Sequence, residues 1–191
     1  MSDNIKLQEI CEKLSNQRLP RWKDLPDLEL YMDQLVSLMR RYLRDYPGMG
    51  DKGLTAAMVN NYVKLKLIPA PQKKKYGREH LAYLLMICVL KPIMPIAAIA
   101  AMIEGELEEV SFAEPVYRMN GESPVEVEHC ETVYDRFCEL FERVSREVAE
   151  SELKSSVEGE SRYSRVMTTA LKAQTELSVA LGLIGGEKKE K

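Results

Sequence analysis

Apolar side chains recur at spacings of three and four along nearly the whole chain, and prolines and glycines cut that pattern into pieces of helical length. Residues three and four apart share one face of a helix, so a chain with this period must bury a stripe of each helix against a neighbour. A mainly α protein is expected. The spacing predicts a first helix over Asp3 to Asn16, with Ile5, Ile10, Cys11 and Leu14 inward, and a break at "RLPRWKDLP". It predicts a second from Pro26, a good first-turn residue, with Asp27 and Glu29 suited to the positive end of the helix dipole. Leu28, Tyr31, Leu35, Leu38 and Tyr42 form its expected buried stripe. After the breakers Pro47, Gly48, Gly50 and Gly53, Thr55 caps a helix through about Leu65 that buries Val59, Tyr62 and Val63.

"LIPAPQKKKY" has no helical period and fits a short β-hairpin. A strongly apolar helix follows from Arg78 to Leu90, and Pro92 and Pro95 restart the chain into a short helix, Ile96 to Ile103. Residues 104–124, with Gly105, Pro115, Gly121 and Pro124, read as a linker with room for one strand in "VSFAEPVYRM". Two long helices close the chain. Cys130, Tyr134, Phe137, Phe141, Val144 and Val148 step by four and three in the first, and Tyr163, Met167, Ala170, Gln174, Leu177, Leu181 and Ile184 in the second. Such seams want a partner helix, either within the chain or on a second copy.

Charge is distributed unevenly. The chain carries a net charge of −3, but residues 1–59 are neutral, 60–92 carry +6, 93–160 carry −12 and 161–191 carry +3. The basic block (Lys64, Lys66, Lys73, Lys74, Lys75, Arg78 and Lys91 against Glu79) is a candidate phosphate-facing surface, and the acidic block would have to point away from nucleic acid.

Several function classes fall away. No apolar run reaches the roughly 18 residues that span a bilayer, the longest candidate being interrupted by Lys91, Pro92 and Pro95. The N-terminus has no signal-peptide core, and Cys11, Cys88, Cys130 and Cys138 form no Cys-x-x-Cys pair. A cytoplasmic protein with buried thiols is expected. A thiol or metal sensor at His129, Cys130 and Cys138 is the sharper alternative, but adjacent helix positions point about 100° apart and chelate poorly. No phosphate loop, His-x-x-x-His pair or Gly-x-Ser-x-Gly element is present, so neither enzymatic activity, a cofactor nor a metal is expected.

Between Leu54 and Ile103 the order is capped helix, basic hairpin, apolar helix, proline, short helix. Here "LTAAMVNNYVKLKLIPAPQKKKYGREHLAYLLMICVL" resembles the recognition helix, wing and following helix of the MerR family of winged-helix transcription regulators. "KPIMPIAAIAAMI" resembles the short helix that ends their DNA-binding domain. From Leu19 to Ile103 the chain is similar to an uncharacterised bacterial family of MerR-like proteins. The resemblance implies a winged helix-turn-helix in which Asn60 and Asn61 face the groove, Tyr62 supports the helix, and Tyr76 and Arg78 touch phosphates at the wing exit. The chain departs from the MerR pattern at Lys66, where glycine is usual, and in a longer connection before Thr55.

Residue chemistry points the same way. With Val59, Tyr62 and Val63 inward, Asn60, Asn61 and Lys64 project outward, and asparagine can pair bidentately with adenine in the major groove. Lys73, Lys74 and Lys75 have nothing apolar to bury and can reach phosphates. The expected organisation is an N-terminal helix (1–18), a winged helix-turn-helix (19–104), a linker (105–124), a helical hairpin or coiled-coil region for dimerisation or partner binding (125–185) and a tail (186–191). The expected function is transcription regulation on double-stranded DNA as a homodimer, read by Thr55, Asn60, Asn61, Lys64, Lys73, Lys74, Lys75, Tyr76 and Arg78, with the C-terminal helices open to an effector or protein partner. The alternative is an adaptor that keeps the scaffold and grips an acidic protein.

Overall fold

A computed structural model describes residues 2–44, 46, 53–113, 125–154 and 161–186. Those residues are mainly helical: α1 (Ser2–Ser15), α2 (Met32–Tyr42), α3 (Ala56–Lys64), α4 (Arg78–Leu90), α5 (Ile96–Ala113), α6 (Val125–Lys154) and α7 (Arg162–Gly186), with a 3-10 turn at Trp22–Asp24. β-structure among them is confined to the isolated bridges Leu30 to Tyr76 and Gln72 to Lys75. The chain divides into two compact units, Leu19–Phe137 and, separately, Met1–Arg18 with Cys138–Lys191, the division falling inside α6.

In the Leu19–Phe137 unit, α4 is the hub. It has no charged residue from Leu81 to Leu90, and it buries Leu81, Ala82, Leu84, Leu85, Met86, Ile87 and Cys88 around most of its circumference. Leu35 and Met39 of α2, Val59 and Tyr62 of α3, Ile99 and Ile103 of α5, and Cys130, Val133 and Tyr134 of α6 complete the core. Each fully buried Leu or Ile contributes roughly 1.5–3 kcal/mol.

The expected helix from Pro26 starts six residues later, at Met32. Leu28 is 67% and Tyr31 54% exposed, so neither joins the buried stripe. The reason is long-range pairing: Leu30 N–H donates to the Tyr76 carbonyl and Tyr76 N–H to the Leu30 carbonyl, both at 2.9 Å, which holds this stretch extended and leaves Tyr31 as the N-cap of α2.

α3 begins as the sequence implies, with Thr55 Oγ1 accepting from Met58 N–H at 3.3 Å. It ends in a Schellman motif: Lys66 N–H donates to the Val63 carbonyl at 3.0 Å and Leu67 N–H to the Tyr62 carbonyl at 2.9 Å. That geometry needs a left-handed residue after the cap, and Lys66 supplies it at φ 57°. A lysine therefore occupies a backbone position that suits glycine, at about 1–2 kcal/mol of steric cost. The hairpin beyond it turns through Lys73 (φ 50°) and Lys74 (φ 66°) between Gln72 and Lys75. Positive φ at both central residues is the type I′ pattern, which matches the twist of a hairpin but ordinarily selects Asn-Gly.

α5 runs past Ile103 to Ala113, so the expected linker is helical over its first part. Gly105 does not stop it: a single exposed glycine costs only about 1 kcal/mol, and Glu104, Glu106 and Leu107 around it favour helix. The strand considered in "VSFAEPVYRM" is helical through Ala113, and its remainder lies outside the described residues.

In the second unit Cys11, Cys138 and Ala149 are buried, but Ile10 is 55% exposed. Arg18 Nε lies 3.4 Å from Glu142 and Lys172 Nζ 3.5 Å from Glu152. The expected seam on α6 holds at Cys130 and Tyr134 and fails at Val144 and Val148, both exposed. Burial passes instead through Cys138, half-buried Ser145 and Ala149, small side chains that allow another helix to approach closely.

Candidate nucleic-acid interface

The inner face of α3 is set by Val59 and Tyr62, both buried. The 3.6-residue period then turns Ala56, Ala57, Asn60, Asn61 and Lys64 to solvent. Two small residues followed by two amides and an ammonium make a face that can approach another surface closely and hydrogen-bond to it. Lys66, Lys73 and Lys74 are likewise exposed, and their left-handed backbones present them on sharp turns rather than along a helix.

The remaining expected contacts are engaged within the protein. Lys75 Nζ lies 2.7 Å from Glu29 Oε2, and that hydrogen bond, with the carboxylate charge, raises its pKa. The ammonium also sits 6.0 Å from the Tyr31 ring centroid. Tyr76 is 3% exposed; burial raises its hydroxyl pKa, and its ring meets His80 edge-on at 5.2 Å. It serves as core rather than as a surface contact, because the pairing with Leu30 draws it inward. The Arg78 guanidinium lies 5.6 Å from the Trp22 ring and 3.6 Å from Asp27, with its side chain 22% exposed. Thr55 spends its hydroxyl on the helix cap. Of the nine residues singled out, Asn60, Asn61, Lys64, Lys73 and Lys74 remain on the open surface.

At the hairpin exit, His80 Nδ1 lies 2.9 Å from Glu79 Oε1 and 3.0 Å from Gly77 N. One nitrogen serves one of these at a time, and the pair with Glu79 is the stronger because an ionised acceptor shortens and strengthens the bond. That hydrogen bond holds the Glu79 carboxyl below its ordinary range, against the burial that pushes it up.

A clasp in the same unit escaped sequence reading. Trp22 N–H donates to Asp135 Oδ1 at 2.8 Å, Arg21 Nη1 to the Asp135 carbonyl at 3.0 Å, and Tyr134 hydroxyl to the Pro20 carbonyl at 2.6 Å. The proline-broken "RLPRW" segment is thereby pinned to the first half of α6, with Trp22 buried beneath Arg78. The one available signal was a lone tryptophan between prolines in an otherwise helical chain.

Beside the C-terminal end of α3 lies an open cleft of about 1220 Å³, floored by Ile68, Tyr83 and Ile103 and rimmed by Lys64, Lys66 and Glu104. The thiols offer little reactivity. Burial pushes Cys88 and Cys130 up to about 12, despite a Tyr83 hydrogen bond to the latter, and burial also raises Cys11. The side chain of His129 lies outside the described residues. Among those described, no group of three His, Cys, Asp or Glu side chains could hold a metal ion, and no helix is long and apolar enough to cross a membrane.

The family model for a domain of unknown function, DUF1836, matches residues 20–137, and the chain belongs to that family. The match coincides with the Leu19–Phe137 unit. No curated protein and no solved structure matches the chain.

Proposed function

We propose that the chain is a DNA-binding regulator in which α3 reads the major groove and the Lys73–Lys74 hairpin acts as the wing of a MerR-like winged helix-turn-helix. The observation that carries this reading is the outward face of α3. It is capped by Thr55, carries Asn60, Asn61 and Lys64 to solvent, and keeps its apolar side in the core. Asparagine amides can pair with adenine edges, and Lys64, Lys73 and Lys74 can meet phosphates. The C-terminal helices are where an effector or protein partner would act.

The runner-up is an adaptor on the same scaffold that grips an acidic protein without sequence-specific DNA binding. Glu29 and Asp27 pair with Lys75 and Arg78, which trims the cationic surface for either partner. The two readings separate on duplex DNA. A Lys73→Asn/Lys74→Gly variant keeps the I′ turn and removes two charges, so the slope of log affinity against log salt should fall by about two. Asn60→Ala should cost about 1–3 kcal/mol on a selected site and far less on random duplex. Fluorescence anisotropy measures both. Absence of duplex binding at low salt would reject the regulator and leave the adaptor.

A further inference from the structure

We propose that the open cleft beside the C-terminal end of α3 binds a small amphipathic monoanion, a carboxylate on an apolar body of roughly eight to ten carbons. All of its described lining residues belong to the Leu19–Phe137 unit. The proposal does not rest on the DNA reading.

Two walls form the cleft. α5 supplies Ala100, Ile103, Glu104 and Leu107, whose spacing puts all four on one face of the helix. That face runs for about 10 Å, the length of an extended acyl chain of roughly eight carbons. The other wall is the turn that ends α3 and the chain leaving it, from Leu65 to Ala70. Leu65 is 54% exposed, and Pro69 and Ala70 are exposed as well, so this wall offers apolar surface to an occupant. α4 contributes Tyr83. Its hydroxyl is hydrogen-bonded to the Cys130 thiol, which leaves the ring as its contribution to the cleft.

Charge selects the occupant. Among the described lining residues only Lys64, Lys66 and Glu104 are charged, two cations against one anion. Elsewhere in the basic block Lys75 pairs with Glu29 and Arg78 with Asp27, whereas Lys64 and Lys66 have no ion pair among the described residues. Two cations two residues apart, with no anion to offset them, favour a carboxylate between their ammonium groups. Glu104 on the opposite wall works against a second negative charge, so a monoanion fits and a nucleotide does not. A largely apolar lining with a few charged groups is the ordinary make-up of a small-molecule site. The backbone adds an independent mark. Lys66 is held at φ 57°, where glycine sits without strain, and strained positions cluster where a side chain has a task.

Isothermal titration of the full chain with decanoate, decanol and decylamine tests the site without DNA. Decanoate should bind with a dissociation constant below about a millimolar. Decanol and decylamine should bind roughly tenfold more weakly or not at all. Lys66→Asn keeps a residue that tolerates the left-handed backbone, removes the charge, and should weaken decanoate roughly tenfold. Glu104→Gln should tighten decanoate severalfold, because it removes the opposing charge. Ala100→Phe fills the α5 wall and should abolish binding with every charge in place. Circular dichroism establishes that each variant keeps its helicity, and the two charge variants decide the matter if Ala100→Phe does not fold. No heat with decanoate at about five millimolar would overturn the proposal. Equal affinity for decanol or decylamine would overturn it as well, by leaving an apolar groove with no preference for anions. Binding indifferent to both Lys66→Asn and Glu104→Gln would do the same, since the ligand then sits elsewhere.

Discussion

The Leu19–Phe137 unit and the unit of α1, the second half of α6 and α7 treat apolar side chains in opposite ways. The first closes over nearly every large residue on α4, and leaves few such side chains open, among them Leu28, Tyr31, Leu65 and Ile93. The second buries Cys11, Cys138 and Ala149, side chains of small volume, while Val144, Val148, Tyr163, Met167 and Leu171 stay open. Its internal contacts include ion pairs between long charged side chains, Arg18 with Glu142 and Lys172 with Glu152. One region carries its own stability. The other leaves large apolar side chains on its surface.

Truncation in the two regions gives the largest contrast. Leu85→Ala removes a fully buried side chain from the hub and should cost about 3 kcal/mol, within the range for such cavities. Leu171→Ala, at an exposed position on α7, should cost under about 0.5 kcal/mol. Urea unfolding of both variants measures this, and comparable losses would erase the distinction between the regions.

A smaller effect tests whether the first half of α6 belongs with the closed unit. Asp135→Ala removes the acceptor of the Trp22 N–H and should cost about 1.5–3 kcal/mol, the range for hydrogen bonds to charged groups. It should also loosen Trp22 beneath Arg78, visible as a red shift of the single tryptophan's emission. An unshifted spectrum with unchanged stability would detach the clasp from the core.

The smallest effect concerns strain. Lys66→Gly relieves a left-handed lysine and should stabilise the closed unit by about 1 kcal/mol. Loss of stability instead would mean that the Lys66 side chain contributes more than its backbone costs.

Much of the candidate site could be read from local chemistry. The Thr55 cap, the inward Val59 and Tyr62, and the span of α4 depend on neighbours within a turn or two, where residue preference and period agree. The start of α2 could not. Pro26, Asp27 and Glu29 are good helix-opening residues, and Leu28, Tyr31 and Leu35 keep helical spacing, so every local signal favoured a helix there. Two hydrogen bonds to Tyr76, 46 residues away from Leu30, outweigh that preference. The same pairing turns Tyr76 into the core and brings Lys75 to Glu29, which is why two of the expected surface contacts are committed elsewhere.

What the sequence determined by itself is the helical character of the chain, the inner face of α3, and the concentration of positive charge around the hairpin. These follow from period, capping and composition, which act over a few residues. The tertiary structure alone decided which of those charges stay open, which lysines adopt left-handed backbones, and that Tyr76 turns into the core. Such outcomes are set by contacts between residues far apart in the chain, as the pairing of Leu30 with Tyr76 is.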